Sequence, residues 1–214
     1  MKLYSFWRSS AAYRVRIALN LKGIRAEFRY RSLRSGEHRQ PEYLAVNPQG
    51  LIPALEVGGV TLSQSLAIIE YLDETHPAPP LLPTDPMGRA QVRAMAQIVA
   101  CDIHPLNNLR TLQFLKSDLK QSERAVAGWY EHWIAEGFVA LEELAKRWSA
   151  DGRHLFGSSV SLADVCLVPQ VYNARRFNCD LTHYPTLTAI SGFLESMPPF
   201  AQATPEIQGD AEAG

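Results

Sequence analysis

The segment His76-Pro77-Ala78-Pro79-Pro80-Leu81-Leu82-Pro83 carries four prolines in eight residues. Proline has no backbone N–H and fixes φ near one value, so neither a helix nor a central strand runs through such a stretch. It predicts a stiff connector at which the chain divides. A length of 214 residues accommodates two domains, and the patterns on the two sides of the connector differ in kind.

Before it, Lys2 to Phe6 reads as a strand and Tyr13 to Lys22 as a helix closed by Gly23. That helix is apolar on nearly every side, which predicts cover on more than one face. Glu27 to Arg31 alternates apolar and charged residues, as a strand with one wet face does. Strand, helix and strand joined this closely form a βαβ unit. Leu51 to Val57 and Val60 to Leu62 flank Gly58-Gly59, a hairpin turn, and a helix follows from Gln64 to Glu74. This order predicts a thioredoxin-like α/β domain over residues 1–80.

After the connector the period becomes helical. Asp85-Pro86 reads as an N-cap with proline at the first helical position. Val92, Met95, Ala96, Val99, Ile103 and Leu106 keep helical spacing, with Pro105 expected to bend that helix near its middle. Val126, Trp129, Trp133, Leu141, Leu144 and Trp148 form the expected stripe of a second long helix. Ser161-Leu162-Ala163-Asp164 has the spacing of a capping box, which gives Asp164 a structural role. Residues 85–214 are therefore expected to be all-helical, with a loose tail after Phe200 because AQATPEIQGDAEAG offers little apolar surface.

Twenty-one basic side chains against twenty-two acidic ones leave a net charge of −1, so no global field draws the molecule to nucleic acid or to an anionic membrane. No segment approaches the roughly 20 uninterrupted apolar residues that span a bilayer, and the N-terminus lacks a leader-like apolar run. The expectation is a cytoplasmic protein. Cys101, Cys166 and Cys179 are odd in number and widely spaced, and the histidines show no i, i+4 pair. That pattern fits reduced, buried thiols better than a disulfide framework and argues against a metal site.

The chemistry concentrates in Phe6-Trp7-Arg8-Ser9-Ser10-Ala11-Ala12-Tyr13, where hydroxyls and a positive charge stand at a helix start. A helix N-terminus presents unpaired N–H groups and a partial positive charge, a seat for an anion or an ionising thiol. Ser9 and Ser10 also suit simple N-capping, and the two roles use the same donors. Arg14 and Arg16, further along the helix, read as solvated or salt-bridging residues outside the site.

Three stretches, Arg8-Ser9-Ser10 through Leu19, Asn47-Pro48-Gln49-Gly50-Leu51-Ile52-Pro53-Ala54-Leu55, and Gln64 through Leu72, together resemble zeta-class glutathione transferases, in particular the maleylacetoacetate and maleylpyruvate isomerases. The likeness extends over nearly the whole chain, to the Asp164 capping box and Asn173-Ala174-Arg175-Arg176-Phe177. It implies a thioredoxin-like domain that binds glutathione, a glutathione-transferase-type helical domain that holds most of the second substrate, and a homodimer. Position by position, it implies that Ser9, helped by Ser10 and next to Ala11, meets the glutathione thiol. Ile52, before a cis Pro53, offers its backbone, and Gln64 and Ser65 take the γ-glutamyl end. His38, Asp102, His104, Asn108 and Arg110 match positions that contact glutathione or the acidic substrate. Arg8 and Arg176 match ligands of the substrate carboxylates. Arg175 and Arg176 are adjacent, so at most one of them faces a pocket.

Many zeta-class proteins carry cysteine and serine where this chain has Ala11 and Ala12. A mechanism that needs a protein thiol there is excluded. Isomerisation of a maleyl dioxo acid needs only an external nucleophile that adds to the double bond, permits rotation and leaves again, and a thiolate does both. Maleylpyruvate and maleylacetoacetate both remain open as the substrate. The alternative is a general zeta-class transferase or dehalogenase of small α-halo acids. A glutaredoxin-type redox enzyme is opposed by the missing Cys-x-x-Cys, and a non-catalytic module is the remaining contender.

Overall fold

A computed structural model describes residues 1–211. The chain forms two units, Met1–Pro80 together with the chain from Ser196 onward, and Leu81–Glu195.

The first unit is built on a four-stranded mixed sheet of order β2-β1-β3-β4. Strand β1 (Lys2–Ser5) pairs in parallel with β2 (Glu27–Tyr30), Leu3 opposite Phe28, and antiparallel with β3 (Ala54–Val57), Leu3 opposite Leu55. Strand β4 (Val60–Ser63) closes the hairpin through Gly58 and Gly59, at φ 57° and 82°. Positive φ at both central residues is what a tight two-residue hairpin of this hand requires, and glycine supplies it without steric cost.

Helix α1 (Ser10–Leu21) is buried continuously from Ser10 to Leu19, the covering its all-round apolarity predicts. A short helix α2 (Pro41–Leu44) follows β2, and α3 (Ser65–Thr75) packs on α1. Tyr4, Phe6, Trp7, Ala12, Tyr43, Ile52 and Ala54 form one core cluster, which sets the start of α1 against the loop before β3.

Two expectations fail in this unit. Arg14 and Arg16 are not solvated: they are 1% and 2% exposed. The Arg16 guanidinium donates to the carbonyls of Trp7 and Ala203 at 3.1 and 3.0 Å, so backbone dipoles stand in for the lost water. The tail is not loose over its described residues. Helix α9 (Pro198–Ala201) and a 3₁₀ turn (Pro205–Ile207) lie on the first unit, where Phe200, Ala203 and Pro205 are buried. Asp210 Oδ2 accepts from the Trp7 N–H at 3.0 Å. Hydrogen bonds hold what apolar content does not.

The second unit is helical. Helix α4 (Pro86–Gln97) starts at the N-cap Asp85, whose carboxylate accepts from the Gly88 N–H at 2.7 Å. It does not bend at Pro105 and continue. It passes into a π-helical turn (Ile98–Ile103), and the chain then turns before α5 (Leu109–Ser117). Pro105 has no N–H to extend the ladder, so the helix ends before it instead of kinking.

Helix α6 (Glu123–Trp148) buries Val126, Tyr130, Ile134, Phe138, Leu141 and Ala145, a stripe set one residue round from the expected tryptophans. Trp129 and Trp133 are half-buried, and Trp148 is exposed. At Gly137 an added Cβ would stand 2.3 Å from Ile103 Cδ1, so the π-turn approaches α6 where there is no side chain.

Helix α7 (Leu162–Arg176) packs on α4 and on α8 (Pro185–Glu195). Its capping box is formed: Asp164 accepts from the Ser161 N–H and hydroxyl at 2.8 and 2.7 Å, and from the Leu155 N–H at 2.7 Å. Asp164 is fully buried and engaged with backbone, the structural role its spacing predicts. A second buried carboxylate, Glu142 on α6, accepts from the N–H groups of Thr186 and Leu187 at the start of α8.

Candidate active site

In the first unit the sequence-predicted residues gather around the start of α1 and two loops. Ser9 is the N-cap of α1, in extended conformation, and its hydroxyl oxygen accepts from the Ala12 N–H at 3.2 Å. That leaves the hydroxyl proton to donate. Ser9, Ser10 and Ala11 are 8%, 7% and 8% exposed, so an anion docked there would be shielded from bulk water. The Arg8 guanidinium lies over the Trp7 ring, 4.7 Å from its centroid.

Ile52 packs in the same cluster as Trp7 and Ala12, and the Ile52–Pro53 peptide bond is cis. The preceding carbonyl, of Leu51, is held by the Tyr43 hydroxyl at 2.6 Å and the Asn47 amide at 2.8 Å. The loop is therefore fixed by two buried donors. Gly50, at φ 59°, has the His38 carbonyl 3.0 Å from where a Cβ would stand, which brings His38 to the same loop. His38 sits on a 3₁₀ turn (Glu37–Arg39), and burial draws its pKa below the ordinary value.

Gln64 is the N-cap of α3 and adopts φ 69°, a left-handed conformation that glutamine seldom takes. Its amide donates to Gln49 Oε1 at 3.0 Å, which ties it to the same loop. Ser65 next to it is 7% exposed and accepts from Arg14 at 3.3 Å. The strain sits at a helix start that has no side-chain cap.

The second unit holds the other predicted residues. Asp102 lies on the π-turn and lines a groove of about 440 Å³ with Cys101, Trp133 and Glu136. His104 follows, with its Nε2 3.4 Å from the Asn108 amide nitrogen. Asn108 caps α5, accepting from the Arg110 N–H at 3.2 Å. Arg176 ends α7, exposed, with its guanidinium 4.6 Å from the Phe177 ring centroid. Arg175 is committed elsewhere, to both oxygens of Glu195 at 2.8 and 2.9 Å. Of the adjacent pair, Arg176 is thus the one available to an acid.

Sequence reasoning passed over Tyr43 and Asn47 and set Arg14, which donates to Ser65, outside the site. Asn47 belongs to the quoted Asn-Pro-Gln-Gly stretch, a turn signal that could have found it. Among the described residues no cluster of metal-binding side chains occurs, and no helix is long and apolar enough to cross a membrane.

The fold matches those of known proteins. The glutathione S-transferase N-terminal domain model matches residues 3–80 and the C-terminal domain model residues 127–199. A probable maleylacetoacetate isomerase of Vibrio cholerae is 52% identical over 211 residues, spanning 98% of this chain and 97% of that one. The holo structure of a maleylpyruvate isomerase, a bacterial zeta-class glutathione transferase, superposes with a TM-score of 0.96 at 47% identity, covering 99% and 100% of the two chains. A maleylacetoacetate isomerase from Methylobacterium extorquens, solved with malonate and glutathione bound, gives a TM-score of 0.95 at 41% identity, covering 100% of each. The chain belongs to the glutathione S-transferase family. Within it, its relatives are the zeta-class maleylacetoacetate and maleylpyruvate isomerases.

Proposed function

We propose that this protein is a glutathione-dependent cis–trans isomerase of a maleyl dioxo acid, maleylpyruvate or maleylacetoacetate, formed in aromatic catabolism. The observation that carries the reading is the start of α1, where Ser9 accepts from the Ala12 N–H and keeps its own proton for a partner. The donor set fits a sulfur anion: a hydroxyl and the amide-rich, electropositive end of a buried helix. Glutathione supplies the thiolate that adds to, and is expelled from, the maleyl double bond.

The chain's residues have separate tasks. Ser9, with Ser10 and Ala11 beside it, stabilises the thiolate. A drop of about two pKa units would correspond to about 2.7 kcal/mol and raise the ionised fraction more than tenfold at neutral pH. Ile52, Gln64, Ser65 and His38 hold the tripeptide, and Gln64 and Ser65 offer a helix start to its γ-glutamyl carboxylate. Arg8 and Arg176 grip the carboxylates of the acid in the bidentate manner a guanidinium allows and stay charged at any working pH. Charge pushed onto the substrate carbonyl during addition is met by the same cations. Asp102, His104, Asn108 and Arg110 complete the contacts to glutathione or acid. The first unit takes the tripeptide and the second most of the acid. The protein works as a homodimer in the cytoplasm.

Malonate bound with glutathione in the Methylobacterium relative supports a small dicarboxylate as the second ligand. Following absorbance of maleylpyruvate and maleylacetoacetate with and without glutathione tests the reading. Turnover of at least one, strictly dependent on glutathione, is expected. Failure on both, with chloride released from dichloroacetate instead, would replace the isomerase with a dehalogenating transferase.

A further inference from the structure

Arg8 stands in the connection between β1 and α1, and a side chain that must meet a carboxylate binds it better when its mounting is fixed beforehand. The residue before it is that mounting. Trp7 lies beyond the end of β1, outside the ladder of the sheet, yet it is 8% exposed, so its backbone groups need partners. Its N–H donates to Asp210 Oδ2 at 3.0 Å, and its carbonyl accepts from Arg16 Nη2 at 3.1 Å. Both bonds carry a full charge on one side and are stronger than bonds between neutral groups. One residue is thus gripped by an anion at its N–H and by a cation at its carbonyl. The Trp7 ring carries the next side chain, with the Arg8 guanidinium 4.7 Å from its centroid.

Asp210 reaches this place from 203 positions along the sequence, and the residues on either side of it are held. The Gly209 N–H donates to the Tyr30 hydroxyl at 3.2 Å, and Ala211 packs against the cluster that contains Trp7, Ala12 and Ile52. An added Cβ at Gly209 would stand 2.9 Å from the Tyr30 oxygen, so the chain passes the end of β2 where it has no side chain. Covering apolar surface calls for no carboxylate at the next position. Holding one backbone N–H does.

We propose that Asp210 is a positioning residue for the acidic substrate: by holding the Trp7 N–H it fixes the ring under the Arg8 guanidinium and so aims that guanidinium at a substrate carboxylate. The inference rests on the reading of Arg8 as a carboxylate ligand.

Asp210→Ala removes the acceptor, and Asp210→Asn keeps one oxygen without the charge. For Asp210→Ala the expected result is a rise of about tenfold in the KM for the maleyl acid and in the dissociation constant of malonate, measured by calorimetry on the glutathione complex. Asp210→Asn should give a smaller rise, about threefold, because a neutral acceptor holds the N–H less firmly. The dissociation constant of glutathione should not change, since Ile52, Gln64 and Ser65 are untouched. In an Arg8→Ala background Asp210→Ala should add nothing, as the group it acts through is gone. Should Asp210→Ala fail to fold, Asp210→Asn decides alone, and unchanged malonate binding in it overturns the proposal. If Arg8→Ala itself leaves malonate binding unchanged, the carboxylate reading of Arg8 falls and this inference falls with it. If Arg8→Ala weakens binding while the Asp210 variants only lower the melting temperature, the carboxylate reading stands and Asp210 is a structural tie, which overturns the positioning role. An Asp210→Ala effect on malonate that persists without Arg8 overturns it equally.

Discussion

Arg16 donates to the carbonyl of Ala203 at 3.0 Å across 187 positions of sequence, which fastens the C-terminal stretch to the first helix of the molecule. The same guanidinium holds the carbonyl of Trp7, one residue before Arg8. Desolvation draws its pKa down to about 10, which still leaves it charged at neutral pH.

Arg16→Leu should therefore destabilise the protein by about 2–4 kcal/mol, because several buried carbonyls lose their donor at once. Truncation after Phe200 should destabilise as well, through the loss of Ala203 and Asp210. Urea unfolding midpoints of the two variants check both. A neutral outcome for the truncation would mean that the tail merely lies on the surface.

Glu142 caps α8 from another helix, accepting from Thr186 and Leu187 at 3.1 and 3.0 Å, and is 3% exposed. Glu142→Ala should cost about 2–4 kcal/mol, since two buried N–H groups at a helix N-terminus lose a charged acceptor. Glu142→Gln should recover part of that loss because one acceptor oxygen remains. Thermal melts of both variants decide the order.

The alternation of Glu27 to Arg31, the Gly58-Gly59 turn and the Asp164 capping box were legible because each is local: period, turn chemistry and cap spacing are properties of a few adjacent residues, whereas the cis Pro53 came only with the family resemblance. The buried Arg14 and Arg16, the bound tail and the cap by Glu142 were not. Each depends on a partner tens to hundreds of residues away, and a charged side chain read alone defaults to solvent. The stripe of α6 was set wrongly because tryptophan weighs heavily in any apolar count, whereas Trp129 and Trp133 sit at the margin of the buried face and Tyr130 at its centre. Of the candidate site, the hydroxyls and positive charge at the start of α1 were legible in the residue types, and the remaining positions came with the family resemblance. That Arg175 is committed to an ion pair required the position of Glu195.

Gln64 at φ 69° carries backbone strain that glycine would relieve. The relief of about 1–3 kcal/mol exceeds the entropic penalty of glycine, about 0.5–1 kcal/mol. Gln64→Gly should thus raise stability by about 1 kcal/mol while weakening glutathione binding. Chemical unfolding together with calorimetric titration separates the two effects, and a loss of stability would show that the strained geometry is held by other means.

His38 titrates below 6.5 because burial disfavours its charged form. A folded-state pKa below the unfolded one means that the unfolded chain binds protons first as pH falls. The His38 contribution to stability is therefore complete above 6.5 and lost as pH drops through the depressed value. Replacing it with glutamine should flatten the decline in unfolding midpoint between about pH 7 and about pH 5. An unchanged decline would assign it to other groups.

The state of the glutathione sulfur at the start of α1 tests the account most directly. Ultraviolet titration of the protein–glutathione complex should show the bound thiol ionising near about 6.5 instead of about 8.5. With Ser9 and Ser10 both changed to alanine it should return toward the free value, with a parallel loss of isomerase activity. A bound thiol that titrates as it does in water, or a double variant that isomerises as fast as the parent, would contradict the account.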